Sequence, residues 1–295
     1  MKRGTLVLVV VLVVLGIATI VVVQQPGEVS STGSLDQALV VYDSSTVDKI
    51  EVHSSKGSVV LEKEGGIWSL TSPIRYRADE TAVTTAVGKG RNLELTSLVS
   101  TNPQKQELFK VDSSGTLVNI FEKGEERASF RIGKASSSFT ETYVRREASY
   151  DVYLAVGNLA PTFDRQPKDW RDKTIFKTFK DNITDVKFQY GDTTFTLSFE
   201  DSLWTVDGDS SVEFRVTSFL NSLSNFRTDE FIDSALSDLP QLTASLEVEG
   251  TQIRFHYNKD ADKYYVQTSR SSQWFEIHSW KARPVLKRKK DFLPW

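Results

Sequence analysis

An α+β chain is predicted, with an amino-terminal transmembrane helix followed by two tandem, duplicated modules, each mainly antiparallel sheet with one main helix. Three observations predict it. Leu6 to Val23 form one unbroken apolar run. Beyond it, short stretches alternate apolar and polar residues, the period of half-buried strands. The same ordered landmarks then occur twice at a nearly constant offset, the signature of a duplication.

The apolar run comes first. At about 1.5 Å of rise per residue, a helix of this length nearly spans the roughly 30 Å hydrocarbon core of a bilayer. Lys2 and Arg3 precede it, so the positive-inside bias predicts a cytoplasmic amino terminus and an extracytoplasmic bulk. A cleaved signal peptide is the alternative, with Gly16-Ile17-Ala18 as a small-x-small site, but Ile20 to Val23 continue the run past it. Lipoprotein attachment is excluded because the chain has no cysteine. Residues 1–24 are therefore expected to form a cytoplasmic stub and anchor. Residues 25–43 are expected to be a flexible tether, since Gln25 to Leu35 is rich in Gly, Ser and Pro.

Composition suits a folded extracytoplasmic region. A quarter of the residues are charged, yet the formal net charge is only −3, which argues against a general nucleic-acid binder. Without disulfides, stability must come from the core, which a region of this size can supply.

The first module is expected over residues 44–173 and the second over 174–295. Val47 to Val52 opens one as a strand, and Ile183 to Phe188 opens the other. Val59 and Leu61 match Phe195 and Leu197, with turns at Gly57 and Gly191-Asp192. Ile67-Trp68-Ser69-Leu70 then matches Leu203-Trp204-Thr205-Val206. A helix follows in both. Asp79 caps the first, with Ala82, Val83, Ala86 and Val87 on one face. Ser210 or Ser211 is the expected cap of the second, with Val216, Phe219, Leu220 and Leu223 on one face. Later, Leu117 to Lys134 aligns with Leu242 to Lys259. Tyr143-Val144 matches Tyr265-Val266, Val152-Tyr153 matches Trp274-Phe275, and Asp169-Trp170 matches Asp291-Phe292.

Those landmarks carry a resemblance. Gly66-Ile67-Trp68-Ser69-Leu70, then Pro73 and Ala78-Asp79 before a helix, an Ile132-Gly133 turn, Tyr143-Val144-Arg145 and Arg171-Asp172-Lys173 together resemble the DUF4340 family. That family's usual Gly-Leu-Asp stands here as Lys110-Val111-Asp112. The resemblance implies an anchored envelope protein with an accessory role beside ABC-type export or gliding-motility-like complexes.

No catalytic constellation is legible, and no catalytic, cofactor or metal residues are assigned. Of the three histidines, His53 and His256 sit in strand patterns without metal-ligand spacing. No Gly-x-Ser-x-Gly elbow and no phosphate loop occurs. Asp207-Gly208-Asp209 reads as a tight turn, and Asp260 with Asp262 as a hairpin tip. Trp68 and Trp204 are expected to be buried structural keystones, because they occupy equivalent strand positions.

The carboxyl terminus is less bland. Lys287-Arg288-Lys289-Lys290 is framed by Trp280, Phe292 and Trp295. A solvated final helix is the first expectation. Contact with lipid head groups or an acidic partner through Trp280, the four cations and Trp295 is the alternative. The functional expectation is a non-enzymatic, single-pass envelope scaffold without cofactors, in the bilayer through Leu6–Val23 and bound to membrane-complex subunits rather than nucleic acid. Its rival is a glycan- or peptide-binding protein with a cleft between the two domains.

Overall fold

Alternation of apolar and polar residues builds almost all of the regular structure, and the computed structural model describes it for residues 38–236 and 238–294. The expected anchor Leu6–Val23 and most of the expected tether lie outside the described residues. Among the described residues, no helix is long and apolar enough to cross a membrane. The architecture is α+β, mainly antiparallel sheet with few helices. The chain divides into two compact units between Arg171 and Asp172.

The first unit contains β1 (Val47–Ser54), β2 (Gly57–Glu64), β3 (Ile67–Ser72), β4 (Tyr76–Arg77), the helix α1 (Glu80–Arg91), β5 (Leu95–Ser100), β6 (Thr116–Glu122), β7 (Glu125–Ala135), β8 (Glu141–Arg146) and β9 (Val152–Val156). Its nine strands run in the order β4-β3-β2-β1-β6-β7-β8-β9-β5. In β1 and β2 the inward positions Ile50, Val52, Val59 and Leu61 are buried, and the register pairs Val52 with Val59 and Ile50 with Leu61. The helix starts where a side chain can satisfy a free N–H. Asp79 Oδ1 accepts from the Ala82 amide at 3.1 Å. Ala82, Val83, Ala86, Val87 and Gly90 form its buried face.

The second unit contains β10 (Thr174–Lys177), β11 (Asp185–Tyr190), β12 (Thr193–Glu200), β13 (Leu203–Val206), β14 (Asp209–Ser210), the helix α2 (Glu213–Leu223), β15 (Asn225–Arg227), β16 (Glu230–Ile232), β17 (Leu242–Val248), β18 (Thr251–Asn258), β19 (Lys263–Thr268) and β20 (Trp274–His278). Its large sheet runs β14-β13-β12-β11-β17-β18-β19-β20-β16. Strand for strand, this is the order of the first unit. Register agrees too: Phe188 pairs with Phe195 and Val186 with Leu197, at the positions matching Val52–Val59 and Ile50–Leu61. In the second unit β10 and β15 form an additional two-stranded sheet. The two units thus share one strand order and one register.

Several expectations need correction. The tether does not extend to residue 43: Leu39, Val40 and Tyr42 are buried in the first core, at the positions that correspond to the Ile175 and Phe176 region of the second. The Arg146 guanidinium holds this segment through the carbonyls of Ala38 and Leu39. The Tyr42 hydroxyl donates to the Val87 carbonyl at 2.6 Å, and burial pushes its pKa up. At the second helix neither Ser210 nor Ser211 is the cap. Val212 takes that position, while the Ser211 hydroxyl donates to the Trp204 carbonyl at 2.6 Å. Ile132-Gly133 lies within β7, beside a register shift between Ile132 and Ala135, rather than at a turn between elements.

The two tryptophans are equivalent in backbone but not in burial. The Trp68 carbonyl accepts from the Ala78 amide at 3.0 Å and the Trp204 carbonyl from the Ser211 amide at 3.2 Å. Trp68 is 3% exposed, whereas Trp204 only packs partly buried against its core, beside the exposed Phe199 at 5.2 Å. Trp68→Ala should therefore lower the urea midpoint clearly more than Trp204→Ala, since the cost of truncation follows the burial lost. Equal losses would contradict that reading.

The aromatic keystones are Trp170 and Phe292. Both are fully buried. Each also fixes the start of its module's helix: the Trp170 carbonyl accepts from the Asp79 amide at 2.8 Å, and the Phe292 carbonyl from the Val212 amide at 2.8 Å. One residue thus fills the core and satisfies a helix-capping backbone group.

Candidate functional site

The carboxyl-terminal segment of the second module is held by its backbone, and this leaves part of its charge unused. Phe292 inserts among Phe188, Phe195 and Phe219, at ring separations of 5.8, 6.5 and 5.3 Å. The Tyr190 hydroxyl donates to the Lys287 carbonyl at 2.7 Å, and burial pushes that phenol's pKa up. Arg215, from α2, donates to the Leu293 carbonyl. The segment is a series of turns with a short 3₁₀ turn at Lys289–Asp291, so the expected final helix is absent there.

The basic run splits into two pairs. The Arg288 guanidinium lies 3.6 Å from the centre of the Tyr190 ring, a cation–π contact. Lys289 pairs with Asp207 and Asp209, each at 3.1 Å. The Asp207 carboxyl is held below its usual range by the Thr196 amide and by Lys289, so the Asp207-Gly208-Asp209 turn serves as a seat for this lysine. Lys287 and Lys290, by contrast, face a groove.

That groove has a volume of about 760 Å³. Phe214, Arg215 and Ser218 of α2 line one side. Arg283, Leu286, Lys287, Lys290, Asp291, Phe292 and Pro294 line the other. Among the described residues, Lys287 and Lys290 have no ion pair and no side-chain hydrogen bond. The one carboxylate among the described lining residues, Asp291, accepts from the Arg288 amide at 2.8 Å. Phe214 is 77% exposed. A concavity of this size, part apolar and part cationic, falls in the range of binding pockets.

The first module spends the same charges internally. At the position matching Lys287 stands Arg165, whose Nε donates to the Pro161 carbonyl at 2.8 Å and whose guanidinium lies 5.4 Å from the Trp170 ring. Lys168, matching Lys290, is also engaged. Repeated basic positions are structural in one copy and available in the other.

Of the other residues singled out from sequence, Trp280 is 61% exposed on the short helix Ser279–Ala282 and does not line the groove. Trp295 lies outside the described residues. Trp68 and Trp204 take no part. Sequence reasoning missed Phe214, Arg215, Arg283 and Leu286. Phe214 had a legible signal: it is an apolar residue off the buried stripe of Val216, Phe219, Leu220 and Leu223. His256 is nearly buried, its Nδ1 2.7 Å from the Pro240 carbonyl. Among the described residues no group of three or more acidic or histidine side chains could hold a metal ion.

The comparisons with known proteins then decide the family. The domain of unknown function DUF4340 matches residues 68–247. The chain belongs to this family. The DUF4340 match opens in β3 and closes in β17, so it covers parts of both modules rather than one complete copy. Neither the curated proteins nor the solved structures give a match. Two DUF4340 landmarks have clear structural work. Arg145 is buried and donates to the carbonyls of Val111, Arg146, Glu147 and Ser149. Gly133 gives room to the Phe109 carbonyl, from which an added Cβ would lie 2.2 Å.

Proposed function

We propose that this DUF4340 chain is a non-enzymatic accessory subunit of a membrane complex of the ABC-type export or gliding-motility-like kind, docking a partner through the groove of its second module. The single observation behind this reading is the asymmetry of the duplicated basic positions. Cations that a fold needs are paired or stacked, as Arg165, Arg288 and Lys289 are. Lys287 and Lys290 border an open groove beside an exposed aromatic, a combination suited to recognition. The apolar run Leu6–Val23 supports a membrane setting, and the family resemblance supports the class of complex.

Tethering raises effective concentration at a membrane complex without adding a contact. Replacing residues 1–24 with a cleavable secretion signal should leave the modules folded and abolish recovery of membrane partners at native abundance. An unrelated single-pass helix should restore it. Full rescue of a deletion strain by the released form would sink the scaffold reading in favour of a free ligand-binding protein.

A further inference from the structure

We infer that the groove of the second module binds an acidic peptide segment carrying an aromatic or aliphatic side chain, contributed by the docked partner; this rests on the docking function proposed above. Charge is the first argument. Arg283, Lys287 and Lys290 border the groove, Arg215 is spent on the Leu293 carbonyl, and Asp291 is turned onto the Arg288 amide. Among the described lining residues four cations stand against one carboxylate, so an anionic segment is favoured over a cationic one. Neighbouring cations in a concave wall reinforce one another's field and attract an anionic segment before contact.

Apolar surface is the second argument. Phe214 and Leu286 lie in the same wall as the cations. A free phosphate would leave this surface wet, whereas a peptide can cover it with one side chain while its carboxylates meet the lysines. Shape is the third. The recess of about 760 Å³ takes a segment inside it, while a bilayer surface meets only what protrudes. The protruding Trp280 lies outside the groove lining. Together these favour a peptide over lipid head groups.

The test uses the full-length chain and a fluorescein-labelled, end-blocked octapeptide of alternating glutamate and phenylalanine. Comparators are the same peptide with lysine for glutamate, and vesicles of phosphatidylglycerol. The variants are Lys287→Glu with Lys290→Glu, and Phe214→Ser; none of these side chains is needed by the core. Binding of the acidic peptide should weaken about tenfold or more in the double variant. It should weaken several-fold in Phe214→Ser and fall with added salt. Equal binding by the double variant, equal binding of the lysine peptide, or binding to vesicles alone would overturn the inference. If peptide binding fails while membrane partners still co-purify with the intact chain, this inference falls and the docking function stands. Loss of partner recovery from the intact chain would instead strike the docking function.

Discussion

Trp170→Ala should lower the stability of the first module by about 3–5 kcal/mol, the range for truncating a large buried aromatic. Trp170 is fully buried and its backbone carbonyl caps α1 through the Asp79 amide. Truncation opens a cavity beneath the very turn that starts the helix, so packing and capping are weakened together. Phe292 occupies the corresponding place in the second module, with the same capping contact to Val212. Trp170→Phe should accordingly retain most of the lost stability. Urea unfolding followed by circular dichroism measures both variants. An alanine variant indistinguishable from the parent would show that Trp170 is not a keystone.

Gly133→Ala should be comparably damaging for the opposite reason. A Cβ there would stand 2.2 Å from the Phe109 carbonyl oxygen and 2.7 Å from Val111 Cγ1. Backbone cannot give way as a flexible side chain does, so the cost should reach or exceed the roughly 1–3 kcal/mol typical of overpacking. The strain falls on a small satellite core of Phe109, Val111, Tyr143 and Val152. It also displaces the Val111 carbonyl that Arg145 Nε holds at 2.6 Å. Gly88→Ala is the control. That site, within α1, has open space for a Cβ, so alanine should stabilise by up to about 1 kcal/mol through helix propensity. A stabilising Gly133→Ala would contradict the tight approach.

The shared strand pattern of the two units was legible because strands advertise themselves by alternation. Ile50, Val52, Val59 and Leu61 repeat as Val186, Phe188, Phe195 and Leu197, and their registers agree. Helices were legible by the same logic, through the stripes of α1 and α2. What escaped had no period to read. Trp170 and Phe292 sit at short 3₁₀ turns, where one contact with a distant helix start decides burial. Trp204 looked like Trp68 in sequence, but it is only half-buried and its cross-strand partner is the exposed Phe199, where Trp68 faces Lys63. Leu39 to Tyr42 follow a loop-like composition, and only the Arg146 and Val87 contacts reveal that they belong to the core.

The groove was half legible. The basic run stood out by composition, but composition does not tell a stacked Arg288 or a paired Lys289 from Lys287 and Lys290, which border the groove. That distinction depends on Tyr190 and on Asp207 and Asp209, which are remote in sequence. Phe214 and Arg283 join them only because the carboxyl-terminal segment folds back onto the start of α2.

The central claim is that the second module docks a partner through this groove. The most direct measurement is quantitative co-purification from membranes of the full-length chain and its Lys287→Glu, Lys290→Glu variant at matched abundance. The account predicts an unchanged melting temperature and a fall of about tenfold in recovered membrane partners. Recovery of the same partners in the same amounts would contradict it.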